Sequence, residues 1–343
     1  MKKLLNSLYI TQPNAYLALD GENVVISIEQ EQVGRIPLHN LQSIVTFGYT
    51  GVSPALLGHC AEKSISVVFM KQSGRFLARV TGEDRGNVIL RKKQYAVSSD
   101  EVESALLARN FIIGKVYNQK WILERATRDY ALRLDVEKHK GVSAVLSTIL
   151  NEIRVVEDLE LLRGWEGQAA IAYNRVFDDL ILQQKSQFYF HQRSRRPPLD
   201  KVNALLSFAY TLLANDVAAA LEANGLDSYV GFLHRDRPGR ASLALDLMEE
   251  LRGVMGDRFV LSLINTKEIQ AKDFLVKENK AVLLTDEGMR KFIKAWQQKK
   301  QEKLTHPFLG EKIEWGLVPH VQSLLLARTL RGDLDQYPPF LWK

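Results

Sequence analysis

The apolar positions change their period about a hundred residues into the chain. Over "NAYLALDGENVVISIEQEQVGRIPLHNLQSIVTFG" short apolar runs alternate with polar residues and break at "DGEN" and "EQEQVGR", the composition of hairpin turns. "SISVVFMKQSGRFLARVTG" repeats the pattern, with "QSGR" as its turn. Between them, the Ser-Pro opening and apolar spacing of "SPALLGHCAEKS" predict a short helix. From "EVESALLARNFIIGKVYNQKWILERATRDYALRL" onward the apolar residues recur at i, i+3, i+4 and i+7, the period of a helix, with Ser98 and Ser99 as candidate N-caps. "VSAVLSTILNEIRVVEDLELLRGWEGQAAIAYNRVFDDLILQQ" reads as two more helices. After "RSRRPP" comes another, "LDKVNALLSFAYTLLANDVAAALEANG", stopped by Asn-Gly. Further helices are expected through residue 295, with the basic stretch "RKFIKAWQQKKQEK". The pattern predicts an α+β chain: a small β-rich domain over 1–95, then a larger all-helical domain over 96–343.

Composition narrows the function classes. Of 343 residues, 46% are apolar and 25% charged, the profile of a soluble globular protein. No run of 18 apolar residues predicts a transmembrane helix, and Asn6, Thr11, Gln12 and Asn14 interrupt what a signal peptide would need as an apolar core. A cytoplasmic protein with no membrane partner is the expectation. Cys60 is the single cysteine, which excludes an intrachain disulfide and a thiolate cluster. A metal would have to be held by histidine and carboxylates, which suits Mg²⁺, Mn²⁺ or Zn²⁺. The net charge of +6 is compatible with a polyanionic partner without demanding one.

Three stretches carry candidate chemistry. In "GFLHRDRPGRASLALDLMEELR", His234 precedes an arginine loop that Pro238 and Gly239 keep from being helical, and Ser242 is a candidate N-cap for the helix after the loop. On that helix Asp246, Glu249 and Glu250 oppose an apolar arc, and Asp246 and Glu249 are i, i+3 neighbours. Such a stripe is either a solvated acidic face with Glu249–Arg252 pairing or a divalent-metal site with His234 as the nitrogen ligand. In "LLRGWEGQAAIAYNR", Gly164 and Gly167 flank Glu166 inside a helical pattern, where each glycine costs about 1 kcal/mol against alanine. They either leave room around Glu166 or serve helix packing. In "HQRSRRPPLDKVNALLSFAYTLLA", Arg193, Arg195 and Arg196 precede a helix with Asn203, Ser207 and Tyr210 on one face. These residue types contact phosphate oxygens, although a solvated basic loop has the same composition.

Taken together, "GWEGQAA", "RRPPLDKVNALLSFAYTLL", "GLDSYVGFLHRDRPGRASLALDLMEELR", "FLVKENKAVLLTDEGMRKFI" and "TFGYTGVSPALLGHCAEKSISVVFM" resemble the CRISPR-associated integrase of spacer acquisition, over essentially the whole chain. The ending "DLDQYPPFLWK" resembles the subtype I-C branch. The resemblance implies an N-terminal β-domain that dimerises and a helical catalytic domain that binds Mg²⁺ or Mn²⁺. Carried onto this sequence, it places the metal on Glu166, His234 and Glu249, with Asp246 beside them as a fourth catalytic residue. It further implies homodimers, two of which join a dimer of a small ferredoxin-like companion subunit. The substrates would be a prespacer duplex and the leader–repeat junction of a CRISPR array, joined when a 3′-hydroxyl attacks a phosphodiester. DNA-binding roles are expected for Arg193, Arg195, Arg196, Asn203, Tyr210, Arg235, Arg237 and Arg240. Two rivals stand beside this reading: a DNA-binding scaffold whose acidic site is inert, and a metal-dependent hydrolase of small phosphoesters.

Overall fold

The structure is a computed structural model that describes residues 6–12, 14–72, 76–80, 82 and 88–343. Most of the "QSGR" turn and the first five residues lie outside the described set. The chain divides into two compact units, 1–86 with 284–301, and 87–283 with 302–343. The sequence boundary at 95 falls inside a helix of the second unit, and a stretch near 290 groups with the first.

The strands of the first unit are β1 (Asn6–Ile10), β2 (Ala15–Asp20), β3 (Asn23–Ile28), β4 (Glu31–Pro37), β5 (Leu41–Phe47), β6 (Gly51–Val52), β7 (Ser66–Met70) and β8 (Phe76–Val80). They form two four-stranded sheets, β1-β5-β7-β8 and β4-β3-β2-β6. The β2–β3 hairpin closes at Gly21, whose φ of +56° is free of strain only without a side chain. Helix α1 (Pro54–Glu62) starts as its sequence predicts: Ser53 Oγ accepts from Leu56 N at 3.2 Å, and Pro54 needs no amide partner in the first turn. The alternation of the strands buries Leu17, Val24, Ile44 and Val67 in one core with Leu56 and Cys60 of α1. Burial pushes the Cys60 thiol up to about 11.

The remaining elements are α2 (Val88–Ser99), α3 (Glu101–Asp129), α4 (Val136–Ile153), α5 (Leu159–Phe177), α6 (Lys201–Ala223), α7 (Ser242–Leu251), α8 (Arg258–Asn265), β9 (Phe274–Val276), β10 (Val282–Leu284), α9 (Asp286–Gln301), β11 (Lys303–Thr305), β12 (Lys312–Glu314) and α10 (Val318–Arg331). Helix α9 is the stretch that groups with the first unit. Asp100, Asp135, Asp158 and Asp200 cap α3, α4, α5 and α6 through side-chain bonds to backbone N–H groups. The cap of α3 is therefore Asp100; Ser98 and Ser99 end α2 instead. The all-helical expectation is also corrected. β9–β10 and β11–β12 are two-stranded ribbons, and "FLVKENKAVLL" turns back on itself, with Lys280 at φ +62°, where a helix was expected.

Helix α6 is long and apolar enough to cross a membrane by length and composition, although no unbroken apolar run marks it. It serves as core: Val202, Leu205, Leu213, Val217 and Leu221 are fully buried. Helix α3 meets α7 at Gly114, where a Cβ would fall 2.7 Å from Glu250 Cβ and 3.3 Å from Pro339 Cβ. The C-terminal segment locks the back of α7. Glu250 accepts from Tyr337 Oη at 2.5 Å, Gln322 Nε2 at 2.9 Å and Phe340 N at 2.8 Å. Asn118 of α3 bonds Glu250 O, Phe340 O and Trp342 N, so α3, α7 and the tail share one polar knot.

Candidate metal and nucleic-acid site

His234 ends a turn that is held from three sides. From α2, Gln94 Nε2 donates to Asp227 O and Val230 O, both at 2.8 Å, and Ser98 Oγ donates to Gly231 O at 2.7 Å. From α5, Arg163 Nε donates to Leu233 O at 3.0 Å. From α7, the fully buried Asp246 takes Phe232 N at 2.6 Å and Leu233 N at 2.9 Å on Oδ2, and His234 N at 3.0 Å on Oδ1. Gly231 makes this possible, since a Cβ there would sit 2.8 Å from Asp246 Oδ2 and 2.9 Å from the Ser242 carbonyl carbon. The same Oδ1 stands 2.5 Å from His234 Nδ1. A carboxylate offers lone pairs only, so Nδ1 is the donor of this pair and Nε2 is the ring nitrogen left to face other groups. The arginine loop then leads into α7, which starts at Ser242 itself. Ala241 precedes it without a side-chain cap, so the expected Ser242 N-cap is absent.

The acidic stripe of α7 is not solvated. Asp246, Glu249 and Glu250 are 0%, 4% and 0% exposed, and each has different work. Asp246 holds the His234 turn and Glu250 holds the tail. Glu249 faces α3 and its own next turn: Arg252 Nη1 lies 2.7 Å from Oε1 and Lys115 Nζ 2.7 Å from Oε2. The buried Oε2 has Lys115 as its ion-pair partner. Burial alone would raise the Glu249 carboxyl, yet Arg252, Lys115 and the nearby His234 hold it down to about 2. Lys115, itself 5% exposed, pairs as closely with Glu166 Oε1 of α5. A Cβ at Gly164 or Gly167 would meet nothing within 4 Å, so close helix packing does not require either glycine flanking Glu166.

Glu166, Glu249, His234 and Lys115 line one cavity of ≈ 890 Å³. Arg193, Arg195, Arg235, Arg237 and Arg240 line it too, while Arg196 is exposed outside it. Partial burial lowers the Arg240 guanidinium below its ordinary value, and the crowding of Arg237, Arg163 and Arg195 lowers it further. Such a cluster of like charge is what a bound anion would relieve. Asn203 is corrected as a DNA contact. It is fully buried, its Oδ1 taken by Arg193 Nη1 at 2.5 Å and Ser194 N at 3.1 Å, its Nδ2 by Gln192 O at 2.8 Å. Arg193 also bonds Ser207 Oγ at 3.1 Å, so that side chain is spent on the protein as well. Tyr210 lines the cavity wall, its hydroxyl donating to Asp257 and its ring within 5.2 Å of the Arg193 guanidinium and 4.5 Å of that of Arg252. A π-helical segment, Arg252–Asp257, continues α7 and brings both Arg252 and Asp257 to this wall. Lys115, Arg163 and Asp257 are site residues that the sequence pattern does not single out, whereas the Glu249–Arg252 pair offered by the i, i+3 spacing is present at 2.7 Å; of the three, only Lys115, a cation beside a glycine in the most apolar stretch of α3, leaves a visible trace.

As the side chains stand, no three His, Cys, Asp or Glu groups among the described residues enclose an ion. The donor set nevertheless fits a hard divalent metal. Two carboxylates from different helices face each other across one ammonium, which already stands as a cation between them. An imidazole anchored through Nδ1 on a buried carboxylate is the usual support of a metal-binding histidine.

A family model described as "CRISPR associated protein Cas1" matches residues 8–298. The chain belongs to the Cas1 family. Among its relatives, the "CRISPR-associated endonuclease Cas1 1" of Chlorobaculum tepidum is 50% identical over 343 residues, covering 100% of both chains. The "CRISPR-associated endonuclease Cas1 2" of Rhodospirillum rubrum is 49% identical, again over 100% of each. Among solved structures, a Cas1 protein from Thermotoga maritima superposes with a TM-score of 0.80 at 23% identity, over 95% of this chain and 97% of that one. A structure titled "Casposase bound to integration product" gives 0.83 at 23% identity, over 98% and 93%. At these identities the two structures establish the Cas1 fold. The full-length relatives place the chain among the Cas1 endonucleases.

Proposed function

We propose that the chain is a divalent-metal-dependent DNA integrase and endonuclease that inserts prespacer DNA into a CRISPR array. The observation that carries this reading is the meeting of Glu166, His234 and Glu249 in one cavity rimmed by arginines. Mg²⁺ or Mn²⁺ held there would polarise the target phosphodiester and offset charge on its oxygens. The protein's own part is positioning. Asp246 fixes the tautomer and direction of His234, and Glu166 and Glu249 supply the two negative charges. Arg195, Arg235, Arg237 and Arg240 hold the phosphate backbone against the site, and attack by a 3′-hydroxyl exchanges one phosphodiester for another without an energy cofactor.

The same reading takes the chain as a cytoplasmic homodimer, paired through its first unit, with two dimers bridged by a dimer of the ferredoxin-like companion. One solved relative in fold is titled "Cas6-RT-Cas1--Cas2 complex", which supports Cas2 as that companion. The ending "DLDQYPPFLWK" supports the subtype I-C branch. A second reading, a DNA-binding scaffold with an inert acidic site, is favoured by the Lys115 ammonium that already pairs with both Glu166 and Glu249. Strand transfer of a labelled prespacer into a leader–repeat duplex, with companion subunit and Mn²⁺, decides between them. Wild type transfers, and His234→Ala and Glu249→Gln do not while still binding DNA. Transfer by folded His234→Ala at the wild-type rate overturns the catalytic assignment.

A further inference from the structure

The cation that holds the two glutamates together in this structure belongs to the protein. Lys115 rises from α3, 5% exposed, and its ammonium bridges Glu166 of α5 and Glu249 of α7 in the cavity that His234 faces. Two carboxylates, the Lys115 ammonium and the Arg252 guanidinium on Glu249 Oε1 sum to zero. A divalent ion on the same carboxylates, with both cations still in place, would leave +2 and set like charges side by side where their repulsion is only weakly screened. A phosphodiester, with its single negative charge, offsets half of that excess. The ammonium has only hydrogen-bond donors and a flexible four-carbon stem, so it can follow the phosphate oxygens when its carboxylates are taken.

We propose that Lys115 couples metal loading to DNA: its ammonium occupies the place between Glu166 and Glu249 until a divalent ion displaces it, and a substrate phosphate then receives it. The inference rests on the metal-site reading above and adds to it a reason for the site to stay closed without substrate. Linkage makes the coupling reciprocal, so metal must raise DNA affinity by the factor that DNA raises metal affinity.

The test is a titration of free Mn²⁺ by electron paramagnetic resonance, on wild type, Lys115→Met and Glu249→Gln, each with and without a duplex blocked by 3′-dideoxy ends. Wild type is expected to bind Mn²⁺ weakly alone and at least about tenfold more tightly with duplex, a typical coupling. Lys115→Met is expected to bind tightly in both conditions, and Glu249→Gln in neither. Lys115→Met should also melt roughly 5–10 °C lower than wild type without metal, because Glu166 and Glu249 lose the buried ammonium they share, and recover most of that on adding Mn²⁺. Equal Mn²⁺ affinity in wild type and Lys115→Met, or weaker binding by the variant, overturns the role of Lys115 while leaving the metal site standing. If wild type and Lys115→Met both fail to bind Mn²⁺ at a site sensitive to Glu249→Gln, the metal-site reading falls and the inference falls with it.

Discussion

Replacing Asp246 by asparagine changes one oxygen into an amino group, and the structure fixes what that does. The carboxylate receives four donors: Phe232 N and Leu233 N on one oxygen, His234 N and His234 Nδ1 on the other. Turned one way, the new amino group faces two backbone N–H groups that have nowhere else to go. Turned the other way, it faces one backbone N–H and the imidazole, and the imidazole alone can adapt. The cheaper outcome makes Nδ1 the acceptor and leaves the ring proton on Nε2, so that the cavity receives an N–H from the ring. One backbone N–H stays orphaned and the surviving bonds lose their charge, a sum of about 3–5 kcal/mol for a buried network of this kind. The expected result is a Tm lower by roughly 10 °C and a Mn²⁺ affinity lower by about 10–100-fold, the scale for losing the group behind a metal-binding histidine. Urea melts and Mn²⁺ titration measure these, and ¹⁵N chemical shifts of the His234 ring report the tautomer. A variant that keeps Nδ1 protonated and binds Mn²⁺ like wild type would refute the assignment of Asp246 as the positioning group.

Three further outcomes are expected. Gly231→Ala forces a methyl against Asp246 Oδ2 and Ser242, both of which are buried and held, so it should cost about 1–3 kcal/mol in a urea melt and slow strand transfer. Arg237→Gln and Arg240→Gln should leave Tm unchanged and each reduce the slope of log K for DNA against log salt by about 1, read by fluorescence anisotropy. His306 lies below its ordinary value of 6.5 because burial disfavours the imidazolium, with Gln322 opposing weakly. Its contribution to stability is therefore complete above pH 6.5 and lost as pH falls through the lower folded value, since the unfolded chain takes up its proton first. Thermal melts between about pH 7.5 and 5 should fall less steeply for His306→Gln than for wild type.

Where local chemistry decides an element, the sequence showed it. The Asp-Gly turn, the Ser-Pro helix start and the Asn-Gly stop each depend on residues adjacent in the chain, and the structure places each as expected. The acidic stripe of α7 could not be read this way. Its helical spacing is that of a solvated face, and its burial comes from partners far along the chain: Lys115 on α3 for Glu249, and Tyr337, Gln322 and Phe340 for Glu250. The ribbons β9–β10 and β11–β12 were missed because three-residue strands carry too short a pattern to separate from a helix turn. The glycines of α5 offered helix packing as one reading, and the open space at both positions removes it. Close packing occurs at Gly114, where the side chains of Glu250 and Pro339, more than a hundred positions away, press against the helix.

Why the i, i+3 acids divide their labour is explained by helix geometry and side-chain length. Three residues along a helix are roughly 60° apart around its axis, enough for the two carboxylates to look toward different neighbours. Asp246 points to the His234 turn, and with only one methylene it reaches the backbone amides and stops there, its oxygens saturated. Glu249 points to α3 and α5, and its second methylene carries the carboxylate to Lys115 and the cavity. A swap of the two would fail at both places: a glutamate at 246 would overfill a pocket closed by Gly231 and Ser242, and an aspartate at 249 would draw the charge back from Lys115. The extra methylene at 249 is thus part of the distance between α7 and α3, a spacing that Gly114 and the tail bound to Glu250 hold from behind.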